Sequence, residues 1–212
     1  MDKIIGRLMK KLQDEGLDKN TFVLFLGDNG TGRGVRSRMG DRVVVGGKGL
    51  TKKSGMHVPL IVHWPEGAKP GTVSDDLVDS TDILPTICQV AGIEIPTSMK
   101  VDGRSFLPQV KGETGSPREW IYSWYCPRGE NLREFVFNRD YKLYRSGEFY
   151  DLRRDPEEKH PLKLGSLAGE AKEDHLLLAK ALAQFDDARP ELLQNLAAEK
   201  SKPRKGKRAK QE

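Results

Sequence analysis

The sequence predicts an α/β chain in two parts: a piece of a parallel or mixed sheet with flanking helices, then a small antiparallel sheet with a packed helix. Three observations lead there. Two short apolar runs, residues 22–26 and 58–64, are too short for ordinary helices and lack polar alternation, the pattern of strands buried on both faces. Helical periodicity flanks them at Ile4, Ile5, Leu8, Met9 and Leu12, and again at Ile83, Leu84, Ile87, Val90 and Ala91. From Trp120 onward the texture changes to short aromatic-rich runs separated by turn residues.

In order, the first helix closes at Gly16, and residues 17–20 lead into the first strand. A helix joined so closely to a strand is half of a βαβ unit, whose other strand is expected upstream of Met1. The first strand stops at Gly27-Asp28-Asn29-Gly30. A glycine- and arginine-rich loop follows, ending in Gly46-Gly47-Lys48-Gly49. Pro59 stands at the start of the second strand, where it is tolerated. Ser80-Thr81-Asp82 is expected to cap the next helix, with Pro85 in its first turn and Gly92 at its end. Residues 120–125, 134–137, 141–144 and 148–152 read as hairpin strands, punctuated by Asn138-Arg139-Asp140 and Ser146-Gly147. Residues 176–185 and 191–198 read as helices. The expected divisions are 1–112 for the α/β part, 113–198 for the small sheet and its helices, and 199–212 for a disordered basic tail.

Composition narrows the class. Of 212 residues 36% are hydrophobic and 32% charged, enough for a core in a very wet protein. The net charge of +5 belongs to the tail: residues 200–212 carry seven Lys/Arg against one Glu, so the first 199 sum to −1. A nucleic-acid partner would rest on that tail alone, and a specific one is not expected. Cys88 and Cys126 do not make a disulfide-dense scaffold and fit no zinc pattern. There is no run of transmembrane length and no signal peptide, so no membrane partner is expected.

The chemistry gathers between Gly27 and Gly49. Asp28 and Asn29 offer a carboxylate and an amide oxygen with no His or Cys beside them, a set that favours Ca²⁺ or Mg²⁺ over zinc or copper. Ca²⁺ takes about six to eight oxygens, so the pair is part of a site. Asp-Asn-Gly is also ordinary turn chemistry, and a capped turn is the competing reading. Lys48 between glycines suits close approach of an oxyanion to a compact ammonium; a solvated lysine is the alternative. A nucleotide P-loop fails, because Gly49 stands where Ser or Thr belongs. A dinucleotide fingerprint fails too, with Val35 in place of its third glycine. Arg33, Arg36, Arg38 and Arg42 suit an anionic pocket as well as a solvated loop. His57 and His63 flank the second strand without a nucleophile to serve, and no Ser-His-Asp or Cys-His arrangement is legible.

Residues 6–162 resemble the C-terminal half of the sulfatase family, in the alkaline-phosphatase superfamily. The pieces that carry this are LDKNTFVLFLGDNG, GGKGLTKKSGMHVPLIVHWP, VDSTDILPTICQVAGIEIP, VDGRSFLPQVKG and YKLYRSGEFYDLRRDPEE, in the family's order. The resemblance implies a large α/β domain followed by a small antiparallel sheet. It implies hydrolysis of sulfate esters, a Ca²⁺ site (or Mg²⁺) at Asp28 and Asn29, and a catalytic, sulfate-contacting Lys48. Lys53-Ser54-Gly55 and His57 depart from common family residues and blur the substrate. The family's nucleophile, a formylglycine made from a Cys or Ser in an N-terminal motif, has no counterpart here, since Cys126-Pro127-Arg128-Gly129 is not that motif. The expectation is a fragment, from a truncated or split reading frame, that is inactive alone. A sulfated small molecule or polysaccharide, and a separate N-terminal half, are its expected partners. The resemblance suggests a periplasmic or secreted full-length protein. A phosphatase or phosphodiesterase of the same superfamily, or a non-catalytic anion-binding fragment, are the alternatives.

Overall fold

The computed structural model describes residues 1–127 and 132–188, so the helix expected at 191–198 and the basic tail lie outside the described residues. The chain divides into two compact units, Met1–Ile121 and Tyr122 onward.

In the first unit α1 (Asp2–Asp14) carries Asp2 in its first turn and Lys11 in its last, matching the helix dipole. Gly16 ends it at φ +68, with Leu17 N–H donating to Leu12 O at 2.9 Å. Ile5, Met9 and Leu12 are half-buried, whereas Ile4 and Leu8 face solvent. Strands β1 (Val23–Leu26) and β4 (Leu60–His63) pair antiparallel, with Val23 opposite His63 and Leu26 opposite Leu60. The apolar runs are therefore strands, as expected, but the pair they form is antiparallel rather than parallel. Burial on both faces is not what they have: along β4 half-buried and exposed residues alternate, and Ile61 is 59% exposed. The pleat sends successive side chains to opposite faces, and the described residues of this unit cover only one. Between these strands lie a hairpin, β2 (Arg36–Met39) with β3 (Arg42–Val45), and the single turn α2 (Lys53–Met56).

The helical end of the unit is organised on Asp82. Asp79, not Ser80, is the cap: its Oδ1 accepts from Thr81 N–H at 2.9 Å, while Asp82 Oδ2 accepts from Asp79 N–H at 2.8 Å. Helix α3 (Ile83–Val90) follows, with Pro85 and Thr86 buried, and α4 (Leu107–Val110) packs on it. Asp82, 1% exposed, also receives Arg104 N–H at 2.6 Å and the Arg118 guanidinium on both oxygens, Nε lying 2.8 and 2.7 Å from them. Burial alone would lower the Arg118 pKa, but the hydrogen bonds and charge of Asp82 outweigh it and the value rises. The Thr86 hydroxyl donates to Asp82 O at 2.7 Å and accepts from Phe106 N–H at 3.0 Å, tying α3 to the segment that opens α4.

In the second unit β5 (Ile121–Tyr125), β6 (Arg133–Phe137), β7 (Tyr141–Tyr144) and β8 (Phe149–Asp151) lie in sequence order as one sheet. The β6–β7 and β7–β8 pairs are antiparallel. Asn138 Oδ1 takes Asp140 and Tyr141 N–H at the first turn, and Gly147 at φ +98 makes the second. Helix α5 (Gly169–Ala183) lays Leu178, Ala181 and Leu182 on β6 and β7, closing a core around Phe135, Val136 and Phe149, none of them exposed. Each such side chain contributes about 1.5–3 kcal/mol by burial. Lys142 is enclosed too, its Nζ 2.9 Å from Glu158 Oε1 and 4.1 Å from the Phe135 ring centroid.

Candidate functional site

The expected site residues sit where β1 ends and the chain returns. Gly27 N–H still bonds Pro59 O at 3.0 Å, the last rung of the β1–β4 pair. Asp28 and Asn29 then leave the sheet, both exposed, with Asn29 Nδ2 donating to Asp28 Oδ2 at 2.6 Å. That bond uses one carboxylate oxygen of Asp28 and the amide nitrogen of Asn29. Gly30 N–H bonds Gly55 O at 3.0 Å, turning the chain against α2.

Lys48 is brought to this turn by the backbone. Its N–H donates to Thr31 O at 2.9 Å, three residues after Asp28. The approach works because glycines meet there. A Cβ on Gly30 would lie 2.2 Å from Ser54 O, one on Gly46 2.1 Å from Gly32 O, and one on Gly55 2.1 Å from Leu50 O. These glycines leave room for the chain to pack on itself. Gly47 is buried and Lys48, next to it, is exposed, so the ammonium is free to turn outward.

Arg33 was not distinguishable from its neighbours by sequence. Its Nε donates to Lys48 O and its Nη2 to Gly49 O, each at 3.0 Å, clamping the loop that carries Lys48. The only advance signal was an arginine among glycines.

Hard oxygen donors at Asp28 and Asn29 fit a divalent cation of the Ca²⁺ or Mg²⁺ type in kind. They do not complete one: among the described residues no group of three or more His, Cys, Asp or Glu could hold a metal. Neither Cys88 nor Cys126 is in a disulfide, and His57, after α2, and His63, at the end of β4, are both exposed. Among the described residues no helix is long and apolar enough to cross a membrane.

The structure thus sets an exposed oxygen pair at a strand end and an exposed lysine on a glycine-packed loop whose backbone bonds the turn just after that pair. The Sulfatase family model matches residues 1–93. Steryl-sulfatase of Mus musculus is 33% identical over 132 residues, 59% of this chain and 21% of that protein. Arylsulfatase A of Homo sapiens is 35% identical over 123 residues, 58% and 24% of the two. N-acetylgalactosamine-6-sulfatase of Rattus norvegicus is 27% identical over 199 residues, 78% and 38%. The fold is shared with solved structures. A Pseudoalteromonas sulfatase, 24% identical, superposes with a TM-score of 0.66 over 87% of this chain and 41% of its own. A protein solved with its substrate D-glucosamine-2-N,6-O-disulfate, 22% identical, gives 0.67 over 97% and 40%. The likeness to sulfatases is thus in sequence over residues 1–93 and in fold over most of the chain. The chain spans between 21% and 38% of the length of these curated relatives.

Proposed function

We propose that this chain carries the charge-stabilising part of a sulfate-ester hydrolase site. Asp28 and Asn29 are two of the oxygen ligands of a divalent cation, Ca²⁺ or Mg²⁺, and Lys48 contacts an oxygen of the sulfate group. The observation that carries this is the Lys48 N–H to Thr31 O bond at 2.9 Å, which holds the lysine's loop on the turn just after the oxygen pair. A bound cation there would act as a Lewis acid on the sulfate oxygens. The chain's own groups orient the ester and neutralise charge developing on the leaving oxygen, Lys48 as a compact positive charge and Arg33 by fixing the Lys48 backbone. The attacking nucleophile comes from outside this stretch, and the chain by itself is expected not to turn over. Residues 1–112 serve this site, with 113–198 as a separate subdomain and 199–212 as a basic tail. A sulfated small molecule or saccharide is the substrate class; one neighbour in fold is solved with a glucosamine disulfate as its substrate. A periplasmic or secreted setting is part of the same reading.

The test is calorimetric titration of the purified chain with CaCl₂ and with Na₂SO₄, each against Asp28→Ala and Lys48→Ala. Weak Ca²⁺ binding abolished by Asp28→Ala, and sulfate binding abolished by Lys48→Ala, are expected. Indifference of both ligands to both substitutions contradicts the site. Hydrolysis of 4-nitrophenyl sulfate above the Lys48→Ala background contradicts the expected inactivity.

A further inference from the structure

Between the oxygen pair and Lys48 the chain makes an excursion that the sulfate site itself does not need. Residues 36–45 form the β2–β3 hairpin, closed by Gly40 at φ +60, with Arg36 opposite Val45 and Arg38 opposite Val43. Its two ends are fastened at the site: Val35 N–H bonds Gly32 O, Gly46 N–H bonds Val35 O and Lys48 N–H bonds Thr31 O, each at 2.9 Å. Directly opposed residues share a face, as do residues two apart along a strand. Arg36, Arg38, Val43 and Val45 therefore form one side of the hairpin, two guanidiniums beside two aliphatic side chains. Both strands are exposed throughout, Val43 at 60% and Val45 at 43%.

The four arginines that sequence alone could not sort now separate. Arg33 is spent on the carbonyls of Lys48 and Gly49. The side chains of Arg36, Arg38 and Arg42 make no ion pair or hydrogen bond with the described residues, and Asp41 is the one carboxylate on the hairpin. Planar guanidiniums suit bidentate pairing with oxyanions, and exposed valines suit the apolar face of a sugar ring. Two arginines on one face stand about 6.7 Å apart, a spacing that admits two separate anionic groups.

We propose that the β2–β3 hairpin is a specificity element that grips further anionic groups of a linear sulfated polysaccharide whose reacting sulfate lies at Lys48. The inference rests on the site reading above and deepens it. Continuity favours a saccharide over an acidic protein surface, because a chain leading away from Lys48 on this side has to pass the hairpin fastened beside it.

The test is amide hydrogen exchange on the full chain, resolved by peptide, with dextran sulfate oligosaccharides, unsulfated dextran and inorganic sulfate as probes. With dextran sulfate at about ten times its Kd, exchange in peptides covering 36–45 slows about tenfold. Arg36→Gln/Arg38→Gln removes that protection and Arg36→Lys/Arg38→Lys keeps most of it. Protection confined to residues 200–212, or equal protection by unsulfated dextran, or protection undiminished in the Gln variant, overturns the proposal. An acidic protein that protects the hairpin where dextran sulfate does not also overturns it. Inorganic sulfate, a single anionic group, is the probe for the site without the polysaccharide chain. If it protects the Lys48 loop while the hairpin arm fails, only this inference falls. If it leaves that loop unchanged while the hairpin arm succeeds, the site reading falls and the hairpin stands as a polyanion-binding element.

Discussion

Removing the Asp82 carboxylate should loosen the helical end of the first unit more than any exposed charge change. Five donor contacts converge on two oxygens: Asp79 N–H at 2.8 Å, Arg104 N–H at 2.6 Å, and Arg118 through Nε at 2.8 and 2.7 Å and Nη2 at 2.5 Å. The Asp82 and Arg118 side chains are 2% and 10% exposed, so neither charge has water in reserve. Breaking a buried pair from one side costs about 3–5 kcal/mol, because the other charge stays buried and unpaired. Each backbone N–H left without its acceptor adds about 1 kcal/mol, which places Asp82→Ala at the upper end of that range. Against a usual stability of about 5–15 kcal/mol this is a third or more of the whole. Urea unfolding gives the global loss. Because the chain has two units, amide exchange at Arg104 and Phe106 gives the local one. The cycle with Arg118→Met decides the cause: with the orphan guanidinium gone, Asp82→Ala should lose about half its effect. A loss under about 1 kcal/mol, or a coupling indistinguishable from zero, would refute the buried-pair account.

Gly30→Ala places a Cβ 2.2 Å from Ser54 O and forces the turn and α2 apart; overpacking of this kind costs about 1–3 kcal/mol, visible as a lower Tm, and Ca²⁺ affinity at Asp28 should fall with it. Lys142→Met leaves Glu158 buried without its cation, and a loss of about 3–5 kcal/mol in urea unfolding should be largely relieved by adding Glu158→Gln. Burial, reinforced by Glu170 and Asp140 and opposed by the Asn138 hydrogen bond, raises the Asp174 pKa above the ordinary 3.8. The folded chain then holds a proton the unfolded chain has lost, so stability falls as pH rises from 3.8 through the raised value. Asp174→Asn should flatten that part of a pH–Tm profile, and an unchanged profile would contradict the assignment.

Much of the scaffold was legible for physical reasons. Phe22 to Leu26 and Val58 to Trp64 read as short strands, and Asn138 and Gly147 as turn residues, because those conformations favour few side chains. The β2–β3 hairpin was not legible. Arg36-Ser37-Arg38 has no apolar face, and three valines between Arg42 and Gly46 do not by themselves announce a strand. The first half of α5, Gly169 to Asp174, is polar all round and became readable as helix only at Leu176, whose downstream partners do the packing. Lys142 reads as a solvent-facing position in a β strand, yet every residue of β7 is buried, because Glu158 from a distant turn supplies the counter-charge. Asp82 was visible as part of a helix start, not as the partner of a residue 36 positions away.

The site shows the same division between residue type and long-range geometry. Asp28, Asn29 and Lys48 could be nominated only through the family resemblance, since by residue type alone a capped turn and a solvated lysine compete with a site. What joins them is a single backbone bond from Lys48 to Thr31, allowed only because Gly30, Gly46, Gly47 and Gly55 let the chain segments touch. Four arginines of one chemical type then divide by position alone: Arg33 faces the carbonyls it can reach, while Arg36, Arg38 and Arg42 ride out on the hairpin where no partner follows. A glycine cluster that tight fixes the hairpin's base as firmly as it fixes Lys48, so a substitution that shifts one must shift the other. The Lys48 loop and the base of the hairpin are therefore mechanically one unit.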